Sequence, residues 1–212
     1  YHYNGNETIN LKFSGILSII VSSISNKFIF LLLLFCLTSN LASGIHFSSI
    51  SFLYINYAEW ESYDLTKLRS AALYGGVIAA LIGGYLSDKI NPQAIIRFSQ
   101  IGLAILCLLI GIYTNILKSE FLGISILLAF SFLSSFGMTA VLSLCMRLSI
   151  SASAASLFAI FMSARHISRI GGETMVGIFD GVLNITVSNI YLITSVICLL
   201  PLVFLKNPKN TT

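Results

Sequence analysis

Long apolar runs separated by short polar punctuation set the plan of this chain. Residues 1–10 are polar. From Leu11 to Ile24 the apolar residues Leu11, Phe13, Ile16, Leu17, Ile20 and Ile24 alternate with serines. That stretch is too short and too polar for a membrane span and suits a helix lying in the interface. Asn26-Lys27 close it, so 1–27 reads as a polar linker or interfacial segment. Six longer runs follow, at about 28–54, 67–87, 93–113, 121–146, 152–180 and 187–205. Each is near the ~20 residues that cross a hydrocarbon core as a helix. Residues 207–212 form a short tail. The expected fold is an all-α membrane protein with six transmembrane helices.

Polar positions inside these runs carry the candidate chemistry. In the first, Ser39, Ser43, His46 and Ser49 share one helical face, a stripe that in hydrocarbon should meet a cavity or another helix. His46 reads either as a proton carrier or ligand contact, or as a hydrogen-bonding partner of a neighbouring helix. The loop 55–66 sets Glu59, Glu61 and Asp64 around Trp60 and Tyr63, an aromatic belt with an acidic connector. In the second run Ala72, Gly76, Ala80 and Gly84 recur every four residues, which lets another helix approach closely. Ser131, Ser135, Thr139 and Ser143 repeat the same spacing in the fourth, for packing or for lining a path.

The fifth run holds Arg165, Arg169 and Glu173 at intervals of four, with His166 beside that face and Asp180 seven residues beyond. An arginine at the centre of a lipid-facing helix costs about 2.5–3.5 kcal/mol on an insertion scale. These charges therefore face protein or water, or the segment does not span. Three readings stay open: the face lines a substrate or ion cavity, Arg169–Glu173 is a self-neutralising i,i+4 pair, or residues 150–170 lie along the cytoplasmic surface with Arg165, His166 and Arg169 at the headgroups. Gly171-Gly172 suggests a kink or a broken turn in this helix.

Composition narrows the class. The 212 residues are 56% hydrophobic and only 9% charged, with mean hydropathy +0.90, which excludes a soluble domain carrying roughly a quarter charged residues. The net charge of +4 is scattered over the loops and marks no nucleic-acid surface. With six spans, Lys12, Lys27, Lys89, Arg97, Arg147, Lys206 and Lys209 collect at one end, against Lys67, Arg69 and Lys118 at the other. The positive-inside bias makes the first end, with both termini, cytoplasmic. Cys36, Cys107, Cys145 and Cys198 lie apart inside apolar runs, with no metal-binding or disulfide spacing. Neither His-Glu-x-x-His nor Gly-x-Ser-x-Gly occurs; we expect no metal, no cofactor and no enzymatic activity.

Gly84-Tyr-Leu86-Ser-Asp88-Lys89 resembles the loop signature of the major facilitator superfamily, Gly-x-Leu-x-Asp-Arg/Lys-x-Gly-Arg-Lys. Asn91 stands in place of its second glycine, and Pro92-Gln93 in place of its trailing basic pair. The resemblance implies one half of a major-facilitator fold, and the polar segment 1–27 is similar to the linker before a seventh helix, so the carboxy-terminal half. The run Ser151 to Arg165 is similar to the start of the eleventh helix in the muropeptide permease and acetyl-CoA transporter branch. The resemblance further implies a secondary transporter, multi-pass in a bacterial inner membrane, moving a small solute by alternating access with proton coupling, and Arg165 and Arg169 suit an anionic one through bidentate contacts to carboxylate or phosphate. Its partners are then the solute, the lipid bilayer and an amino-terminal six-helix half; nucleic acid is not among them. Arg165, His166, Arg169, Glu173 and His46 are the candidate pathway residues. Gly84, Asp88 and Lys89 form the gate loop, with Asp88 bonding groups at neighbouring helix ends. A chain that begins at Tyr1 in a polar stretch reads as a piece of something longer. The alternatives are a split or truncated fragment that does not transport, and a half-size homodimer.

Overall fold

The computed structural model describes residues 26–148 and 154–205. The expected linker over 1–27, the 207–212 tail and the opening residues of the fifth run therefore lie largely or wholly outside the described residues. Every regular element among those described is helical: α1 (Lys27–Ser39), α2 (Leu41–Phe52), α3 (Ser62–Lys89), α4 (Pro92–Ile112), α5 (Glu120–Leu148), α6 (Ala154–Gly181) and α7 (Val187–Leu199). A π-helical turn, Leu53–Tyr57, extends α2, and 3-10 turns follow α4 (Thr114–Lys118) and α7 (Leu200–Val203). Four segments are long and apolar enough to cross a membrane: Lys27–Tyr57, Ser62–Lys89, Pro92–Ile112 and Glu120–Arg147. Val187–Val203 is apolar but shorter, and the charges of α6 set it apart.

Local chemistry places the ends. Asn26 and Asn91 cap α1 and α4, each side-chain oxygen accepting an N–H two residues on, from Phe28 at 2.9 Å and Gln93 at 3.0 Å. Pro92 then opens α4, where a missing N–H costs nothing. Asn91-Pro92, the departure from the superfamily loop, is thus a helix start. α1 and α2 are one apolar run divided at Asn40, whose backbone N–H is donated to Ser168 Oγ on α6 at 3.1 Å. The break sits here, and not at Gly171-Gly172: α6 is continuous through both glycines. Gly172 is instead a point of close approach, where a Cβ would strike the carbonyl oxygen of Leu41, and Gly44 faces the carbonyl oxygen of Arg169 in the same way.

Counting α1–α2 as one, the six helical segments among the described residues alternate in direction. α1–α2 lies parallel to α6, and α3 parallel to α5, where Ser131 Oγ on α5 donates to the Ala72 carbonyl at 2.8 Å. α4 runs antiparallel to both α5 and α7: Ser99 Oγ bonds the Leu133 carbonyl at 2.6 Å, Arg97 reaches the Leu205 carbonyl at 3.4 Å, and Ser188 Oγ bonds the Gly111 carbonyl at the opposite end. The heavy pairings are α1–α2 with α6, α3 with α5, α4 with α7, α4 with α5, and α1–α2 with α7 and the turn after it. Exchanging the first three segments for the last three returns the same set of pairs.

Two apolar cores fill the ends of this arrangement. One gathers Leu53, Tyr54, Cys107, Ile110, Leu117 and Tyr191, and the other Phe35, Cys36, Ile96, Leu144, Cys145 and Phe161. Tyr54 is buried, its hydroxyl donated to the Gly123 carbonyl at 2.8 Å and its ring edge-on to Trp60. These two rings fasten one end of the bundle. The outer surface is itself apolar, with Leu73, Tyr74, Leu81 and Val203 at least 70% exposed. In water such faces are an association liability; a bilayer covers them.

The small-residue face of α3 is rotated from its expected register. Ala72, Gly76, Ala79, Gly83 and Ser87 are buried, whereas Gly84 has open space where a side chain would begin. A strict four-residue repeat drifts by about 40° per step around a helix with 3.6 residues per turn, so Ala80 and Gly84 leave the contact. Its partner is the small face of α5, with Ser131 and Ser135 against Gly76, and Thr139 against Gly83.

Candidate functional site

Between the two cores lies a polar layer near the middle of each segment that contributes to it. Ser39, Asn40 and Ser43 come from the α1–α2 break, Ser99 and Gln100 from α4, Ser134 and Gly137 from α5, and Arg165 from α6. They surround a cavity of about 20 Å³, room for one water-sized group. At the Asn40 break the backbone groups are bonded within the protein, the N–H to Ser168 Oγ at 3.1 Å and the carbonyl oxygen to the Gly44 N–H at 3.0 Å, the condition under which a helix break is tolerated at membrane depth.

Arg165 dominates the electrostatics. It is 5% exposed, and its Nη1 has no hydrogen-bond partner among the described residues. Among the described residues that line the cavity none is acidic. A buried guanidinium without a countercharge is costly, and its planar fork of donors is matched to carboxylate-like groups.

The charged face read from α6 divides. Arg169 Nε pairs with Glu173 Oε1 at 2.9 Å, the self-neutralising i,i+4 arrangement. Its guanidinium also stacks over the Phe47 ring at 4.4 Å, a ring that Arg69 approaches at 5.0 Å. Arg169 and Glu173 do not line the cavity with Arg165. His166 is exposed and Asp180 likewise; one residue on from Arg165 is a 100° turn of the helix. α6 lies along α1–α2 with Leu157, Phe161 and Ala164 in the same core as Phe35, and is not laid across an end of the bundle.

His46 also lies away from the cavity. Its Nδ1 is 2.9 Å from the Tyr191 hydroxyl and its ring stacks on Phe130 at 3.5 Å between centroids, so it is a core histidine bonded to a neighbouring helix. Of the serine stripe, Ser39 and Ser43 reach the cavity. Asn40, Ser99, Gln100 and Ser134 join them without having been marked by the sequence pattern. Mid-span amides are the signal that was there to use, since a primary amide inside an apolar run has to find a partner.

At the end of α3, Asp88 Oδ1 is 3.6 Å from Arg147 Nη2, and that same nitrogen donates to the Ser87 carbonyl at 2.7 Å. The pair joins the ends of α3 and α5, with Asp88 81% exposed. Lys89 lies over the Tyr85 ring at 4.6 Å. Among the described residues no cluster of three or more His, Cys, Asp or Glu is placed to hold a metal. The four cysteines are all buried, with Cys36 and Cys145 Sγ 3.9 Å apart across α1 and α5.

The chain matches no protein-family model, no characterised protein and no solved structure.

Proposed function

We propose that this chain is one six-helix half of a secondary transporter of the major-facilitator type, moving a small solute by alternating access about the Arg165 cavity. The observation that carries the reading is the pairing pattern, which is unchanged when the first three segments are exchanged for the last three. Inverted three-plus-three repeats of this kind, with a midplane site flanked by a discontinuous helix, belong to alternating-access carriers. On this reading α6 and α7 also span the membrane, since they run alongside the four longer apolar segments. Arg165 is tolerable in α6 because it faces the cavity and not lipid.

The end bearing Lys89, Arg97 and Arg147 is then cytoplasmic by the positive-inside bias, and Asp88–Arg147 closes that end in one gate state. The partners are lipid, the solute and a second six-helix unit.

The test is access to the cavity from both faces of the membrane. Ser134→Cys is placed in the full native polypeptide with Cys36, Cys107, Cys145 and Cys198 replaced by alanine. A membrane-impermeant maleimide is then applied to sealed vesicles of each orientation. Labelling from both faces is expected. Labelling from one face only, or from neither, refutes the proposal.

A further inference from the structure

We infer that the cavity takes a small monoanionic head group, a carboxylate or a halide, with Arg165 as its charge partner. This names the charge of the cargo and rests on the proposed transport site. The charge count decides it. Arg169 is compensated by Glu173 at 2.9 Å, and Glu173 lies eight residues from Arg165, about 12 Å along the helix axis. Among the described residues that leaves Arg165 without a countercharge, in a lining of hydroxyls and amides interleaved with Leu103, Met138 and Val141. One water would satisfy the unpartnered Nη1 hydrogen but not the charge; one monoanion does both.

The charge of the ligand follows from the same count. One guanidinium balances one negative charge, whereas phosphate brings more than one, and the space beside Arg165, about 20 Å³, takes a water-sized polar group. The Asn40 and Gln100 amides and the Ser134 hydroxyl then supply neutral donors to the remaining lone pairs, the Ser39 and Ser99 hydroxyls being already donated to the Cys36 and Leu133 carbonyls.

The experiment is thermal unfolding of the purified full-length protein in a neutral detergent and HEPES buffer, titrated with sodium acetate, sodium chloride, sodium phosphate or acetamide. A ligand that binds only the folded state raises Tm as its concentration passes Kd. Acetate or chloride is expected to raise Tm by several degrees, while phosphate and acetamide do not. A response to acetate alone assigns a carboxylate, and to chloride alone a halide. Arg165→Gln removes the shift and Arg169→Gln keeps it. Should Arg165→Gln not fold, Ser134→Leu decides the matter: it fills the cavity with Arg165 in place and must lose the shift.

Equal shifts in wild type and Arg165→Gln, or no shift with either anion, overturn the inference. Anion-specific stabilisation without two-sided labelling of Ser134→Cys leaves the anion site standing and refutes transport. The reverse result keeps transport and refutes the monoanion.

Discussion

Gly172→Ala is the sharpest perturbation of the contact that holds the first segment against α6. A Cβ at position 172 would sit in van der Waals conflict with the Leu41 carbonyl oxygen, 2.9 Å from its carbon and 3.1 Å from the Ile45 nitrogen. All three are backbone atoms, so no side chain can rotate aside, and the helices must separate by a few tenths of an ångström or more. Overpacking of this kind costs about 1–3 kcal/mol. Gly177→Ala on the same helix is the control, because nothing lies within 4 Å of its added Cβ, and alanine is the better helix former by up to ~1 kcal/mol. At about 2–4 °C per kcal/mol for a chain of this size, Gly172→Ala should melt several degrees below wild type and Gly177→Ala at or above it. The buried thiols of Cys36, Cys107, Cys145 and Cys198 make a thiol-reactive fluorophore in detergent the natural reporter of unfolding. Equal melting of the two variants refutes the backbone contact, and with it the placement of Asn40 against Ser168 that shapes the cavity.

Contacts on either side of the cavity give two more tests. His46→Phe keeps a ring against Phe130 but leaves the Tyr191 hydroxyl without its partner, so it should destabilise by about 1–3 kcal/mol; wild-type melting refutes a structural His46. Asp88→Asn removes a mostly exposed ion pair worth at most about 1 kcal/mol, so Tm should move by no more than about 4 °C, yet the balance of Ser134→Cys labelling between the two membrane faces should change. An unchanged balance refutes the gate role of Asp88.

The apolar runs were enough to mark a helical membrane chain, and four of them correspond to segments long and apolar enough to cross a membrane, Lys27–Tyr57, Ser62–Lys89, Pro92–Ile112 and Glu120–Arg147. Length, hydropathy and punctuation act locally, and a helix that satisfies its own backbone needs no partner to be recognised. Capping was local too, as Asn26 and Asn91-Pro92 illustrate. Facing was less legible. The two small-residue stripes of α3 and α5 do meet, but the true contact follows the 3.6-residue period through Ala79 and Gly83, so Gly84, which carried the motif reading, stands clear of it.

The candidate site was half visible. Spacing put Arg165, Arg169 and Glu173 on one stripe, because intervals of four are neighbours on any helix. Which of them is buried depends on what packs against each turn, and that lies more than a hundred residues away in the chain: Asn40 bonds Ser168 and Phe47 takes Arg169. The helix break at Asn40, the close approach of Gly44 and Gly172, and the bonding of His46 to Tyr191 are likewise products of partners distant in sequence. By itself the sequence determined a polytopic helical membrane chain with charge where lipid does not permit it. The tertiary structure alone decided that Arg165 is the buried arginine whose Nη1 has no partner among the described residues, because burial and pairing are properties of neighbours brought together by folding.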